Sequence, residues 1–261
     1  MIYLTKKYAQ HVAYIELSRP QKKNALNKEL IEQLIDFLEK TADSSQFRVL
    51  VISGKERFFS AGADLAWMQN AKEQSHEQNM ADANLFNKLY DTLNNYLKPV
   101  IASVEGGAFG GAIGLMACAD IVITTPEANF AFSETRLGLV PATVAPWVVK
   151  KTGSAFARSV LVSGLKFSAE DAKANGLVQY IFSQEQILPR TREIANHIAR
   201  NNPLATKETK NLLNRIDHEI VKIDEELMQY CSTKIADARI SEEGQEGVNA
   251  FFAQRKPSWN R

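Results

Sequence analysis

Residues 98–141 read KPVIASVEGGAFGGAIGLMACADIVITTPEANFAFSETRLGLVP and say more about this chain than any other stretch. They contain an apolar strand, five glycines within nine residues, a helix of small residues and an isolated carboxylate at Glu134. Closely spaced glycines permit close backbone approach and leave N–H groups free at the start of a helix, where the helix dipole favours negative charge. A downstream carboxylate adds a group for proton transfer. The combination indicates chemistry on a carbonyl compound, although glycines also serve turns and a single glutamate is often a surface residue.

The composition restricts the class of protein. A chain of 261 residues that is 45% hydrophobic can bury one main domain with an appendage. A formal net charge of +1, with no long basic run, argues against a nucleic-acid partner and favours small molecules or protein subunits. The two cysteines, Cys118 and Cys231, are far apart and outside any CxxC motif, so neither a zinc site nor a disulfide framework is indicated and a reducing cytoplasm fits. Because the chain has neither a targeting segment nor an apolar run of about 20 residues, we expect a soluble protein without a membrane partner.

Strands and helices alternate along the first part of the chain. Apolar residues at three-to-four spacing predict helices over 28–40, capped by Asn27, and over 80–97. Short apolar runs predict strands over 12–17, 49–53, 100–104 and 121–124. A further helix and a short strand follow, over 168–176 and 178–182. Helices between successive strands are typical of βαβ units, which predict an α/β fold with parallel strands.

From residue 187 onward the chain is nearly all helix, with breaks at Pro203 and Glu242–Gly244. We expect a core over residues 1–186 that carries the functional sites and a helical region over residues 187–261. A few helices cannot bury both of their faces alone. They should therefore pack on the core or on neighbouring subunits.

The glycine loop matches none of the common nucleotide-binding motifs. Its glycines, at 106, 107, 110, 111 and 114, lack the GxGxxG spacing of a dinucleotide site, and Ala112 stands where a P-loop needs lysine. The catalytic motifs GxSxG and HExxH are absent from the chain. The sequence therefore predicts no nucleotide cofactor, no catalytic triad and no metal site.

Five blocks of sequence resemble the crotonase, or enoyl-CoA hydratase/isomerase, superfamily. The resemblance extends over essentially the whole chain, and the matching blocks are Arg19–Pro20 with Asn24–Leu26, then Phe58–Leu65, Lys98–Asp120, Glu134–Pro141 and Ala250–Phe252. The resemblance implies a spiral of repeated ββα units with a C-terminal helical trimerisation region, assembled as a homotrimer or as a homohexamer. It also implies an acyl-CoA thioester as the ligand, with CoA as part of the substrate and no separate cofactor.

The resemblance assigns roles to individual residues. Two backbone N–H groups of the family bind the thioester oxygen, and they fall on Ala63 and on Gly111, next to Gly110. Glu134 falls on the position of the acid/base. The adenine and pantetheine of CoA would be held by two turns, which contain Lys23, Ala25 and Leu26, and Ala61, Gly62, Asp64 and Leu65. Phe251, with Arg255 and Lys256, would contribute from a neighbouring subunit.

One position departs from the family pattern. Enoyl-CoA hydratases of the standard type carry two glutamates, and Gly114 stands where the first is expected. Three options stay open: Glu134 makes both proton transfers of a hydration, another group joins it, or the reaction needs one acid/base, as in Δ3-to-Δ2 enoyl-CoA isomerisation. Hydration is the leading hypothesis and isomerisation the second. A non-catalytic oligomer that binds acyl-CoA is a third hypothesis, from another class.

The sequence around Glu134, SETRLGLVPA, together with GADLAWM, looks like bacterial 3-methylglutaconyl-CoA hydratases of leucine breakdown. In that interpretation Arg136 would hold a distal carboxylate of the substrate, whereas a helix-end or intersubunit salt bridge is its more ordinary role. Trp67 and Met68 would line the acyl or pantetheine channel, unless they are simply packed.

Overall fold

Nine strands in two sheets form the centre of the computed structural model, which describes residues 2–220 and 222–260. The strands are β1 (Leu4–Ala9), β2 (Val12–Leu17), β3 (Val49–Gly54), β4 (Val100–Val104), β5 (Gly107–Phe109), β6 (Ile121–Thr124), β7 (Asn129–Ala131), β8 (Phe167–Ser168) and β9 (Tyr180–Ile181). The large sheet has the order β1-β2-β3-β4-β6-β9, with β1 antiparallel to β2 and the other pairs parallel. The small sheet has the order β5-β7-β8.

Eleven α-helices surround these sheets in the described part of the chain. They are α1 (Lys28–Thr41), α2 (Leu65–Gln69), α3 (His76–Asn94), α4 (Gly111–Cys118), α5 (Ala145–Thr152), α6 (Ser154–Ser163), α7 (Ala169–Ala174), α8 (Ile187–Ala199), α9 (Pro203–Ile220), α10 (Glu225–Ile240) and α11 (Glu242–Phe252). A short 3-10 helix over Glu134–Leu137 lies between β7 and α5. None of the described helices combines the length and the apolar character that crossing a membrane requires.

The large sheet is buried between two apolar layers. On one side its side chains pack with the buried faces of α1 and α3, which include Leu34 and Phe86. On the other side Val49 and Ile101 pack with Ile187 of α8. Parallel strands covered on both faces are continuous apolar runs, which is why VLVIS and VIASV lack polar alternation. Each fully buried side chain of this size contributes about 1.5–3 kcal/mol.

The central elements confirm the α/β prediction, with differences at their ends. The Asn27 side chain accepts a hydrogen bond from the first turn of α1, as expected. Helix α3 begins at His76 rather than at residue 80, because Ser75 and Gln78 form a reciprocal capping box one turn earlier. The strand predicted over 178–182 is only two residues long. The sequence did not predict β1, because five of its six residues are exposed and carry no alternation.

The C-terminal helices pack on the core of the same chain. Helix α10 lies along α3, where the Asn87 side-chain amide donates to the Ser232 hydroxyl at 2.6 Å. Helix α11 packs on the 3-10 helix, and Gly247 lies directly against the Leu137 carbonyl. Packing of this region on the core is therefore observed, while a domain boundary between residues 186 and 187 stays a prediction.

The two predicted breaks in the C-terminal region have different outcomes. Helix α9 begins at Pro203, as expected. The second break falls at Ser241, whose hydroxyl accepts the Gly244 N–H at 3.0 Å and so caps α11. Residues 242–244 therefore lie in the first turn of a helix rather than between helices.

Candidate active site

Ala63 lies in a turn that pairs with the segment before α1. The Leu26 N–H donates to the Gly62 carbonyl at 2.7 Å, and the Asp64 N–H donates to the Leu26 carbonyl at 2.9 Å. In such a parallel bridge, the residue between the two bonded positions turns its own N–H to the opposite side. The Ala63 N–H therefore points away from Leu26, and it has no hydrogen-bond partner within residues 2–220 and 222–260.

Gly111 supplies a second free N–H close to the first. It is the first residue of α4, and an N–H at that position has no partner within the helix. Nor does any other described residue accept from it. A β-carbon placed on Gly62 would lie 3.6 Å from the Gly111 nitrogen, so the two turns are in contact. Two neighbouring N–H groups without acceptors can together bind a negatively charged oxygen.

A buried ion pair holds the turn that carries Ala63. The Arg19 guanidinium lies 2.8 Å from the Asp64 carboxylate, and these side chains are only 9% and 11% exposed. Arg19 also donates to the Ala25 carbonyl, and the Asn24 side chain accepts the Arg19 backbone N–H at 2.9 Å. Removing one partner of a buried pair typically costs about 3–5 kcal/mol, because the other charge remains buried. The ion pair therefore joins the block that contains Arg19 to the block Phe58–Leu65, which is distant along the chain.

Glu134 lies against the glycine loop. Gly110 has a φ of +48°, and a β-carbon there would be 2.6 Å from Glu134 Oε1, so the position requires glycine. Glu134 is partly exposed as a residue, but its Oε2 is fully covered and has no hydrogen-bond partner in the described structure. The carboxyl group is thus in contact with the residue that precedes Gly111.

The pKa of Glu134 is raised from 4.5 to about 7. Burial is the cause, because it removes water from the ionised form, and a backbone hydrogen bond lowers the pKa only in part. A carboxyl group whose pKa is near neutral can accept a proton and release it again at physiological pH. Glu134 can therefore act as base and acid within one reaction.

A cleft of about 1,070 Å³ adjoins these groups. The sequence-predicted residues that line it are Lys23, Ala25, Ala61, Ala63, Asp64, Leu65 and Phe251. The other predicted residues lie beside it without lining it, and these are Leu26, Gly62, Gly110, Gly111 and Glu134. Both chain neighbours of Glu134, Ser133 and Thr135, do line the cleft. The structure therefore brings together the two predicted CoA turns and the segments that carry the predicted catalytic residues.

Phe251 lines the cleft of its own chain, because α11 packs on the 3-10 helix that begins with Glu134. A contribution of Phe251 from a neighbouring subunit stays a prediction. Arg255 also lines the cleft, where it forms a bidentate ion pair with Glu246 at 2.6 and 2.7 Å, whereas Lys256 does not line it.

Four aromatic residues that line the cleft, Phe58, Phe109, Phe252 and Trp259, were not predicted as site residues from the sequence. Phe58 and Phe109 stack with ring centroids 6.2 Å apart, and Trp259 lines the same cleft. The ammonium group of Lys23 lies 5.4 Å from the centre of the Phe58 ring. Phe58 and Phe109 belong to the recognised blocks, but nothing in their spacing indicated that they meet.

The remaining predicted residues divide between the cleft and the protein interior. Arg136 is exposed and lines the cleft. Trp67 stacks on Phe86 with centroids 6.2 Å apart, and Met68 is buried among core residues. Neither Trp67 nor Met68 lines the cleft, and both side chains pack against other apolar residues instead.

A second cavity, of about 720 Å³, lies between α4, α5 and α9. Its lysines already have partners: Lys210 forms an ion pair with Asp120 at 2.7 Å, and Lys151 donates to the Ala119 carbonyl at 2.8 Å. Lys151 thus satisfies a carbonyl group at the C-terminus of α4, as cations commonly do. The cleft beside Glu134 is therefore the candidate active site.

Comparison with known proteins agrees with this geometry. The family model for enoyl-CoA hydratase/isomerase matches residues 7–261. The chain belongs to this family.

A putative enoyl-CoA hydratase of Thermus thermophilus is 31% identical over 95% of this chain and 96% of the relative. The 2,3-dehydroadipyl-CoA hydratase of Escherichia coli is 31% identical over 96% of this chain and 95% of the relative. The crystal structure of an enoyl-CoA hydratase from Shewanella pealeana is 36% identical, with a TM-score of 0.80 over 99% of this chain and 96% of that chain. The crotonase fold expected from the sequence is confirmed.

Proposed function

We propose that this protein hydrates an α,β-unsaturated acyl-CoA thioester. The observation that carries the proposal is the position of Glu134, whose unpaired carboxyl oxygen lies beside the Gly110–Gly111 turn. Two free N–H groups for an oxyanion and one proton-transfer group are what addition of water to a conjugated thioester needs.

The proposed reaction begins with the thioester oxygen between the N–H groups of Ala63 and Gly111. Ionised Glu134 takes a proton from a water molecule, whose oxygen forms a bond to the β-carbon. The electron pair of the double bond moves towards the carbonyl, and negative charge develops on the thioester oxygen. Protonated Glu134 then delivers its proton to the α-carbon, so that one molecule of water has been added. Each N–H donor aimed at such an oxyanion typically contributes about 3–4 kcal/mol to the transition state.

The lining of the cleft supports CoA as the group that is bound there. Lys22 and Lys23 supply positive charge for phosphate groups, while Phe251 and Trp259 supply apolar surface for the pantetheine chain. A cleft with apolar walls and a few charged groups is typical of small-molecule sites.

A distal carboxylate on the acyl group, as in 3-methylglutaconyl-CoA, is the finer form of the proposal. Arg136 lines the cleft two residues from Glu134 and forms no ion pair in the described part of the chain. The Escherichia coli relative is itself named for a dicarboxylic acyl-CoA. Arg136→Gln should raise KM for 3-methylglutaconyl-CoA and leave KM for crotonyl-CoA unchanged. Equal effects on both substrates would contradict a contact with the distal carboxylate.

Δ3-to-Δ2 enoyl-CoA isomerisation is the second candidate. It is favoured by Gly114, which leaves Glu134 without a second carboxylate on α4, because an isomerase moves one proton between two carbons. The purified protein should be tested with crotonyl-CoA, 3-methylglutaconyl-CoA and a 3-enoyl-CoA, with mass analysis of the products. Hydration consumes the ultraviolet absorbance of the conjugated thioester, isomerisation creates it, and a protein that only binds acyl-CoA does neither.

We further propose a homotrimer or homohexamer in the cytoplasm. Exposed apolar side chains on α9, among them Leu204, Leu212 and Ile216, support a subunit contact on that helix. Light scattering of the purified protein distinguishes a monomer from three or six subunits.

A further inference from the structure

Tyr90 of α3 lies against the first turn of α4. Its hydroxyl donates to the Gly111 carbonyl at 2.7 Å, and the side chain is fully buried. A β-carbon placed on Gly111 would lie 3.0 Å from Tyr90 Oη and 3.0 Å from Phe86 Cε1. The two rings therefore cover the face of Gly111 at the residue whose N–H is assigned to the oxyanion.

The same ring covers Gly114, one turn further along α4. A β-carbon placed there would lie 2.5 Å from Tyr90 Cζ and 2.9 Å from its Oη, which real side chains do not tolerate. The volume that a glutamate at this position needs is therefore occupied by Tyr90. Because the tyrosine packs directly on the helix backbone, it leaves no room for a side chain at Gly114 and little room at Gly111.

The phenol group is suited to hold that backbone. Because burial raises the pKa of Tyr90 well above its ordinary value of 10, the group stays a neutral donor wherever the protein is folded. Packing alone would need only the ring, as at Phe86, whereas the buried hydroxyl has a specific acceptor on the active-site turn.

We propose that Tyr90 is a positioning residue for the oxyanion site. Its hydroxyl holds the Gly111 carbonyl and so fixes the peptide group that follows Gly111, which restricts the first turn of α4 and keeps the Gly111 N–H directed at the thioester oxygen. Its ring also fills the space of the missing second carboxylate. The inference rests on the proposed function, since it presupposes a thioester bound at Gly111.

Tyr90→Phe tests the inference, because it keeps the ring and removes only the donor. The matched control is Tyr96→Phe: Tyr96 is 3% exposed, and its hydroxyl lies 2.9 Å from Thr41 Oγ1, away from the cleft. Tyr90→Phe loses the bond to the Gly111 carbonyl and Tyr96→Phe loses the contacts with Thr41, so both variants should lower the melting temperature by a similar amount. Only Tyr90→Phe should lower kcat, by about 10-fold, a part of the 10²–10³-fold loss expected when a donor is removed altogether. KM should change less than threefold in both variants.

A spectroscopic probe separates positioning from stability. In 4-(dimethylamino)cinnamoyl-CoA the amino group donates electrons towards the thioester carbonyl, so absorbance moves to longer wavelength when the carbonyl oxygen accepts hydrogen bonds. We expect the wild type and Tyr96→Phe to give the same red shift, and Tyr90→Phe to give a smaller one at saturating probe. An unchanged red shift and an unchanged kcat in Tyr90→Phe would overturn the inference. Equal loss of activity in both variants would also overturn it.

The same probe distinguishes failure of this inference from failure of the proposed function. If the wild type shifts the probe but hydrates no enoyl-CoA, hydration is wrong, and the comparison of the two variants still decides the role of Tyr90. If the wild type gives no red shift, no oxyanion site acts on the thioester, and the inference fails with it.

Discussion

Replacing Glu134 by glutamine should stabilise the protein at high pH and not at low pH. The folded-state pKa of about 7 is above the ordinary value of 4.5, because the ionised carboxylate is buried without a partner for Oε2. The folded state therefore binds more protons than the unfolded state between these two values, and stability falls as pH rises through that window. A difference of about 2.5 in pKa, at about 1.4 kcal/mol for each unit, corresponds to roughly 3 kcal/mol lost above neutral pH. Because glutamine is neutral at every pH, the variant does not lose this stability above neutral pH.

Urea unfolding of the wild type and of Glu134→Gln at about pH 5 and about pH 8 measures this difference. The gain of the variant over the wild type should be larger at the higher pH by up to about 3 kcal/mol. Subtracting the gain in unfolding free energy at about pH 5 from the gain at about pH 8 cancels the constant effect of placing an amide at this position. Glu127→Gln, at an exposed position, is the control and should show no pH-dependent gain. An equal gain of Glu134→Gln at both pH values would refute the reasoning that the ionised carboxylate is buried and unpaired.

Three further results are expected. The rate of hydration, as kcat/KM, should rise with pH through an acid limb near 7, because Glu134 must be ionised to accept a proton; a limb near 4.5 in the pH profile would contradict its burial. Gly111→Pro removes the proposed donor, whereas Gly111→Ala keeps the N–H and adds a β-carbon that presses on Tyr90 and Phe86. The alanine variant should lose part of the activity, and the proline variant should be at least about 10²-fold less active than the alanine variant. Gly114→Glu should unfold at a lower temperature and gain no activity, since its side chain meets Tyr90; a stable and more active variant would show that Tyr90 moves aside.

The parts of the fold that follow from local patterns could be predicted from the sequence. The buried runs of β3 and β4 and the Asn27 cap of α1 depend on neighbours within a few residues, so they were found where expected. β1 escaped prediction because only Leu4 of its six residues is buried, and its pairing partner, rather than its own pattern, makes it a strand.

The glycine loop and Glu134 were indicated by the sequence itself, whereas the individual oxyanion residues and the CoA turns could be predicted only through the family resemblance. The two predicted oxyanion positions lie on segments that meet through backbone contacts, and no residue spacing in the sequence predicts such contacts. The ion pair of Arg19 with Asp64 joins residues 45 positions apart, and Tyr90 reaches Gly111 from another helix. The local sequence could not tell that α11 packs on its own chain and brings Phe251 to the cleft. These features are tertiary and became visible only in the structure.

The central claim is that Glu134 transfers the protons in hydration of an enoyl thioester at the glycine loop. It is tested most directly by following the ultraviolet absorbance of crotonyl-CoA with equal amounts of wild type and of Glu134→Gln, after both are shown to bind the CoA ester with affinities within a few-fold. The wild type should consume the absorbance, and the variant should do so at least about 10²–10⁴-fold more slowly, the usual contribution of a general acid/base. Hydration by the variant at a rate close to that of the wild type would contradict the account.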